Sequence, residues 1–183
     1  MIRALPFLEE DFMLVYADSF MDVDYFQIMY RYFAGRQTGI KALMTVMENA
    51  DRFDKSNVVF KDGEIKVYDK KNIVSEMTFI DYGIEIFSRE VFAALEKSFG
   101  EEAVDLSDIQ RELVEKKKCT ACEVTHRFYE IGTPESLAEF TENAKKRFLE
   151  PHGGCFLDRD GVINEIAFNE DTEQLDSPLS GKN

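Results

Sequence analysis

The segment Gly153-Gly154-Cys155-Phe156-Leu157-Asp158-Arg159-Asp160-Gly161 brings two carboxylates, two residues apart, to the end of a short apolar run. Cys155 to Leu157 reads as a strand, and carboxylates at a strand end suit acid–base and metal-ion chemistry. Few structural needs call for Asp-x-Asp-Gly at that point. Yet only 25 residues follow Asp158, too few for a domain to form around the motif. Asp18 closes another apolar run, Phe12 to Ala17, and in open α/β sheets ligands bind beyond the carboxyl ends of strands. Taken alone, Asp18 reads equally as a helix cap or a loop acid. Two of the three cysteines fall as Cys119-Thr-Ala-Cys122, with no second pair to complete a zinc site. They lack the helix start that activates a redox pair, so they read as buried or half-buried thiols on a strand.

The elements that must position these groups alternate between strand and helix. Phe12 to Ala17 is a near-continuous apolar run, expected of a parallel strand buried on both faces. Tyr25, Phe26, Met29, Tyr32 and Phe33 fall at helical spacing, with Gly35 and Gly39 closing the helix before a strand at Ile40 to Met47. Asn57 to Phe60 and Glu64 to Tyr68, joined by Asp62-Gly63, form a hairpin signal. Met77 to Phe87 is a further strand, and Gly83 within it marks a close approach to the backbone. Helices follow at Arg89 to Lys97 and Leu106 to Lys117. Thr133-Pro134-Glu135 starts another, with Leu137, Phe140, Ala144 and Phe148 as its apolar face. The whole implies an α/β layered sheet over residues 1–150. Residues 151–183 form a linker and a last strand, with an acidic, aperiodic stretch from Glu165 that is expected to be disordered or loosely attached.

Composition narrows the function classes. The 183 residues are 44% hydrophobic and include 16 Phe and 7 Tyr, ample for a packed core. The net charge of -14 argues against a nucleic-acid backbone or an anionic membrane surface as partner. No apolar run approaches the length of a membrane span, and the N-terminus lacks a signal-peptide layout. A soluble protein of the reducing cytoplasm is expected.

Four segments, "YADSFMDVDY", "DRFDKSNVVFKDGEIKVYDKK", "TFIDYGIEIF" and "VTHRFYEIGTPESLAEF", occur in this order at domain-scale spacing. Together they resemble the carboxyl-terminal two-thirds or so of the sugar-phosphate nucleotidyltransferases, nearest the branch that activates heptose 1-phosphate. The resemblance runs from Ile2 to Phe148. It implies a Rossmann-like sheet and the joining of a nucleoside triphosphate to a sugar 1-phosphate with release of pyrophosphate. It also implies Mg2+ held by Asp18 and by Glu130, where the family most often has aspartate. Lys70 in "YDKK" stands where the family's "EKP" lysine meets the sugar phosphate, with Asp69 and Lys71 as departures beside it. By default Lys70 alone would be a solvated hairpin lysine. Gly83 matches the glycine that lets the sugar approach the sheet, and Asp81 and Glu85 are candidate acceptors for sugar hydroxyls.

The family opens with a strand and a glycine-rich, basic loop that wraps the triphosphate. Nothing of that kind precedes Asp18, so the first strand and loop are expected to be missing and the isolated chain inactive. An unpaired edge beside Phe12 to Ala17 would then invite self-association. "FLDRDGVIN" resembles the first motif of haloacid-dehalogenase-type phosphatases acting on heptose bisphosphate or histidinol phosphate. There Asp158 would be the nucleophile and Asp160 the acid, both at a magnesium site. A phosphatase fused to a nucleotidyltransferase of one heptose pathway accounts for both resemblances. A non-catalytic remnant that binds a sugar phosphate or a subunit, and a phosphatase proper, are the alternatives.

Overall fold

The computed structural model describes residues 2–99, 105–149, 167–169 and 174–176. In chain order these form β1 (Asp11–Val15), β2 (Ser19–Phe20), α1 (Tyr25–Arg36), β3 (Ala42–Glu48), β4 (Val58–Lys61), β5 (Glu64–Tyr68) and β6 (Phe79–Ser88). They continue as α2 (Arg89–Phe99), α3 (Leu106–Glu115), β7 (Cys119–Glu123), β8 (Tyr129–Glu130) and α4 (Pro134–Ala144). The chain divides into a larger unit, Met1–Thr141, and a smaller one, Glu142–Asn183. Within the smaller unit a strand at Ala167–Asn169 pairs antiparallel with Gln174–Asp176, inside the stretch expected to be loose.

The main sheet of the larger unit runs β5-β4-β6-β3-β7, with β1 also on β6. Only β3 and β7 pair in parallel. β3 is buried on both faces, because α1 packs one side through Ile28 and Tyr32 while α2 and α3 pack the other through Phe92, Ile109 and Leu113. This is the expected α/β layering, carried by a mixed and curled sheet.

Two expectations change. β1 is not a parallel strand covered on both faces; it runs antiparallel to β6 and is only half-buried. Its apolar residues are shared between two cores, Phe12 and Leu14 on one side and Met13 on the other. An apolar run of that kind does not distinguish strand direction. In α4, Thr133 Oγ1 accepts from Ser136 N at 3.1 Å as a cap should, but the helix buries no side chain. Phe140 packs against Phe20 and Tyr129 at ring distances of 5.2 and 6.1 Å, while Leu137 stays exposed.

Local chemistry explains the remaining shape. Asp24 caps α1, its carboxylate accepting from Phe26 N at 2.9 Å and Gln27 N at 3.2 Å. Asp62 and Gly63 both have positive φ, +54° and +76°, which is the I′ turn that suits a tight hairpin. Arg31 of α1 donates to the carbonyl of Ala121 on β7 and, at 3.4 Å, to that of Gly63 in this turn. It thereby bridges the two ends of the sheet path and holds the curl. No helix among the described residues is long and apolar enough to cross a membrane.

β6 carries the feature that shapes the site. Met44 faces Glu85 and Val46 faces Asp81, so Thr45 alone opposes Tyr82, Gly83 and Ile84. The Thr45 hydroxyl completes the ladder across this bulge, donating to Ile84 O at 2.7 Å and accepting from Ile84 N at 3.2 Å. Gly83 sits at φ +92°, and a Cβ there would lie 2.8 Å from the Tyr16 ring and 3.1 Å from Met21 Cε. Strain and clash together forbid a side chain. Gly83→Ala is therefore expected to lower unfolding free energy by about 2–3 kcal/mol in urea titration, and a loss under about 0.5 kcal/mol would contradict the bulge.

Candidate functional site

Ahead of the bulge, β6 delivers Asp81 to the floor of a cleft of about 320 Å³. Its walls include Tyr16 after β1, Asn57 before β4, Lys70 after β5, Tyr82 on β6 and Glu130 on β8. The Asp81 side chain is 1% exposed, so its charge must be met by protein groups. One oxygen accepts from Gly83 N at 3.1 Å, and the other pairs with Lys70 Nζ at 3.2 Å. Asn57 fixes the backbone from beneath, its Oδ1 accepting from Asp81 N at 2.9 Å. Tyr68 OH donates to Gln110 Oε1 at 2.7 Å and stands 3.4 Å from Asp81.

Lys70 is thus no free hairpin lysine. Its side chain is 37% exposed, with Nζ 5.7 Å from the centroid of the Tyr16 ring. Burial pulls its pKa down, but Asp81, Tyr16 and Glu85 together outweigh that and hold the ammonium form above the ordinary lysine range. Burial, reinforced by Asp81 and Glu85, pushes the Tyr16 phenol up to about 12. The result is a cation facing a concave, partly apolar space, with its counter-charge behind it. Such a group can hold an anion without being free to collapse onto other carboxylates.

Two sequence expectations are corrected here. Glu85 is fully buried and lies beyond the bulge, where the Gln110 amide of α3 donates to it, so it is no acceptor for a ligand in the cleft. Gly83 does give a close approach, but its space is taken by the Tyr16 ring and Met21 rather than left open. Asp81 and Lys70 do meet in the cleft, though Asp81 is already committed to Lys70.

Asp18 and Glu130 lie at the two strands of a short antiparallel ladder in which Ser19 faces Glu130 and Phe20 faces Tyr129. Ile131 N donates to the Asp18 carbonyl at 2.9 Å, so Asp18, in the turn before β2, is diagonal to Glu130 rather than opposite it. Glu130 lines the cleft, and the Asp18 side chain is exposed, with the Ser19 hydroxyl 3.4 Å away. By type, two carboxylates suit a hard cation that takes its other ligands from phosphate and water. Among the described residues no cluster of three His, Cys, Asp or Glu could hold a metal. Asp158 and Asp160 lie outside the described residues.

Several contributors escaped sequence reading. Asn49, wholly buried, donates through Nδ2 to Asp54 O at 2.6 Å and Ser56 Oγ at 3.0 Å, and accepts from Phe53 N at 3.1 Å. It holds a loop in which Ala50 and Asp51 take positive φ, and that loop supplies Asp54, Lys55 and Asn57 to the cleft. Next to Phe128, which lines the cleft, Arg127 lies between the rings of Phe53 and Tyr129, at 4.4 and 4.7 Å, and pairs with Glu139. Gln110 had a signal: it falls among the apolar residues Ile109, Leu113 and Val114 on the inner face of α3. Asn49 and Asn57 had none, since asparagines between strands usually mark turns.

Neither a family model nor a curated protein matches the chain. Solved structures do. One described as a glucose-1-phosphate thymidylyltransferase from Bacillus anthracis in complex with a sucrose superposes with TM-score 0.62 at 14% identity, covering 84% of this chain and 61% of its own. The inositol-1-phosphate CTP transferase from T. maritima gives 0.57 at 18% identity, with 80% and 61% covered. A UTP-bound UGPase from Acinetobacter baumannii gives 0.60 at 13% identity, with 80% and 55% covered. Identity this low speaks for the fold alone. The chain has the fold of sugar-phosphate nucleotidyltransferases, over less than two-thirds of the length of these three.

Proposed function

We propose that this chain forms the sugar-phosphate side of a nucleotidyltransferase site, and that its ligand is a sugar 1-phosphate, heptose 1-phosphate being the nearest by sequence resemblance. The observation that carries this reading is Lys70, held at the cleft by the buried Asp81 carboxylate. Its ammonium would take the phosphate of the sugar. Asn57, Tyr82 and the rigid loop held by Asn49 would orient the ring. In the reaction a sugar-phosphate oxygen bonds to the α-phosphorus of a nucleoside triphosphate, the bond to the bridging β-phosphate oxygen breaks, and pyrophosphate leaves. No covalent protein intermediate is needed. The protein's work is to align two anions that repel each other and to offset their charge. Asp18 and Glu130 would hold Mg2+, which supplies charge neutralisation on the phosphates.

The triphosphate needs a glycine-rich cradle of backbone amides, and no such loop is among the cleft elements named above. We therefore extend the proposal: this chain alone binds the sugar phosphate without turnover, and the Asp158-Arg159-Asp160 motif begins a phosphatase acting in the same heptose chemistry.

Two outcomes test the reading. Calorimetry with a panel of sugar 1-phosphates should show binding that weakens by about ten- to a hundredfold in Lys70→Met, since a charge-assisted contact is worth roughly 1.5–3 kcal/mol. Equal affinity in a folded Lys70→Met variant would remove the phosphate role of that lysine. Second, the chain mixed with a nucleoside triphosphate, heptose 1-phosphate and Mg2+ should release no pyrophosphate above a protein-free blank. Release that Asp18→Asn abolishes would show the chain to be a complete catalyst.

A further inference from the structure

Beneath Lys70 lies a second acid whose charge the fold leaves unmatched. Glu85 has no exposed surface. One oxygen accepts from the Gln110 amide, whose own carbonyl is tied up by Tyr68 OH at 2.7 Å. The other oxygen meets no donor. No cation pairs with it, because the Lys70 ammonium is spent on Asp81 at 3.2 Å. The remaining neighbour is the Asp81 carboxyl, on the same face of β6, the two acids opposing Val46 and Met44. Two buried carboxylates against a single ammonium would leave a net negative charge, with one oxygen undonated, in a dry core. A proton on Glu85 resolves both faults at once, since a carboxylic acid can donate to Asp81 where a carboxylate cannot.

We propose that Glu85 is a positioning residue that stays a neutral acid and donates its proton to Asp81, so that the floor of the cleft carries one negative charge against Lys70 rather than two. Asp81 shares its electron density with that proton and grips Lys70 less tightly, leaving the ammonium able to turn toward an incoming phosphate. Ionised, Glu85 would add a second negative charge under the anion site and repel the ligand. The groups that face Glu85 do not interfere. Tyr16 after β1, Tyr68 on β5 and the Cys119 thiol on β7 are all pushed upward by burial and stay uncharged through neutral pH, and Gln110 does not titrate. Burial, with Asp81 beside it, raises Glu85 well above the usual carboxylate range, in accord with the geometry. The sign follows: the folded chain holds a proton that the unfolded chain has already lost, so Glu85 costs stability progressively as pH rises from the ordinary glutamate range to its raised value.

The effect on ligand binding rests on the sugar-phosphate reading above, whereas the protonation does not. In the full chain, affinity for glucose 1-phosphate is compared between wild type and Glu85→Gln from weakly acidic to alkaline pH. The ligand's own ionisation cancels in the ratio. The two should bind alike in weak acid, and wild type should fall behind by about tenfold as pH rises, one like charge at close range being worth roughly that. Infrared difference spectra of the ligand-free proteins at neutral pH should show a carboxylic-acid carbonyl band in wild type that Glu85→Gln lacks. If that variant does not fold, Glu85→Leu, uncharged at every pH, should give the same rise relative to wild type with pH. No such band at neutral pH, or parallel pH profiles, would overturn the proposal. Absence of binding by either protein at every pH would instead remove the sugar-phosphate reading, and the infrared band would then decide the state of Glu85 alone.

Discussion

Burying the Asp81 carboxylate is the constraint from which the rest of the site follows. A charge so placed costs several kcal/mol unless neighbours meet it, and removing one partner is worse than never having built the pair. Here the neighbours come from separate places in the chain: the Gly83 amide on its own strand, Lys70 after the hairpin and the Tyr68 hydroxyl at its end, with Asn57 holding the Asp81 backbone. Each of these requires a local arrangement of its own. The Gly83 amide turns inward only because the strand bulges, and the bulge is tolerated because the Thr45 hydroxyl stands in for the lost ladder bonds. Lys70 reaches the floor because the Asp-Gly turn fixes the hairpin register that ends at Tyr68. The ion pair is therefore a meeting point of the fold as much as a feature of the cleft.

Much of the fold can be read from residue pattern. The hairpin is legible because only a few dipeptides take positive φ twice in succession, and Asp62-Gly63 is one of them. The helices at α1 and α3 follow from 3.6-residue spacing, and both begin at an aspartate whose side chain caps the first turn. The orientation of β1 is not legible, because an apolar run records burial and not the direction of the neighbouring strand. Gly83 gives a correct signal with an incomplete interpretation. A glycine inside a strand does announce a close approach, but nothing local tells whether a ligand or a tyrosine ring makes it.

The candidate site divides along the same line. Lys70 and Asp81, named from the sequence, do form one unit, whereas the ladder at Glu130 sets Ser19 opposite it and leaves Asp18 in the turn beside it. Glu85 was misplaced for a physical reason. On an ordinary strand, residues 81, 83 and 85 share a face, so an acid at 85 should follow 81 into the cleft. The two acids do share a face here, opposite Val46 and Met44, but Gln110 of α3 covers position 85 and closes it off from the cleft. Asn49 acts through backbone groups of its own loop, a role that residue type alone does not announce.

The contact between Arg31 and the turn carbonyl of Gly63 has a practical meaning for anyone altering this chain. A two-residue hairpin tip is ordinarily a safe place to splice in a tag or an epitope, because it is exposed and distant from any core. In this protein the tip is one end of a clasp whose other end is the Ala121 carbonyl on the last strand of the sheet. Lengthening it would move Gly63 away from the guanidinium and slacken the join between first and last strands of the sheet path, so insertions belong elsewhere on the surface.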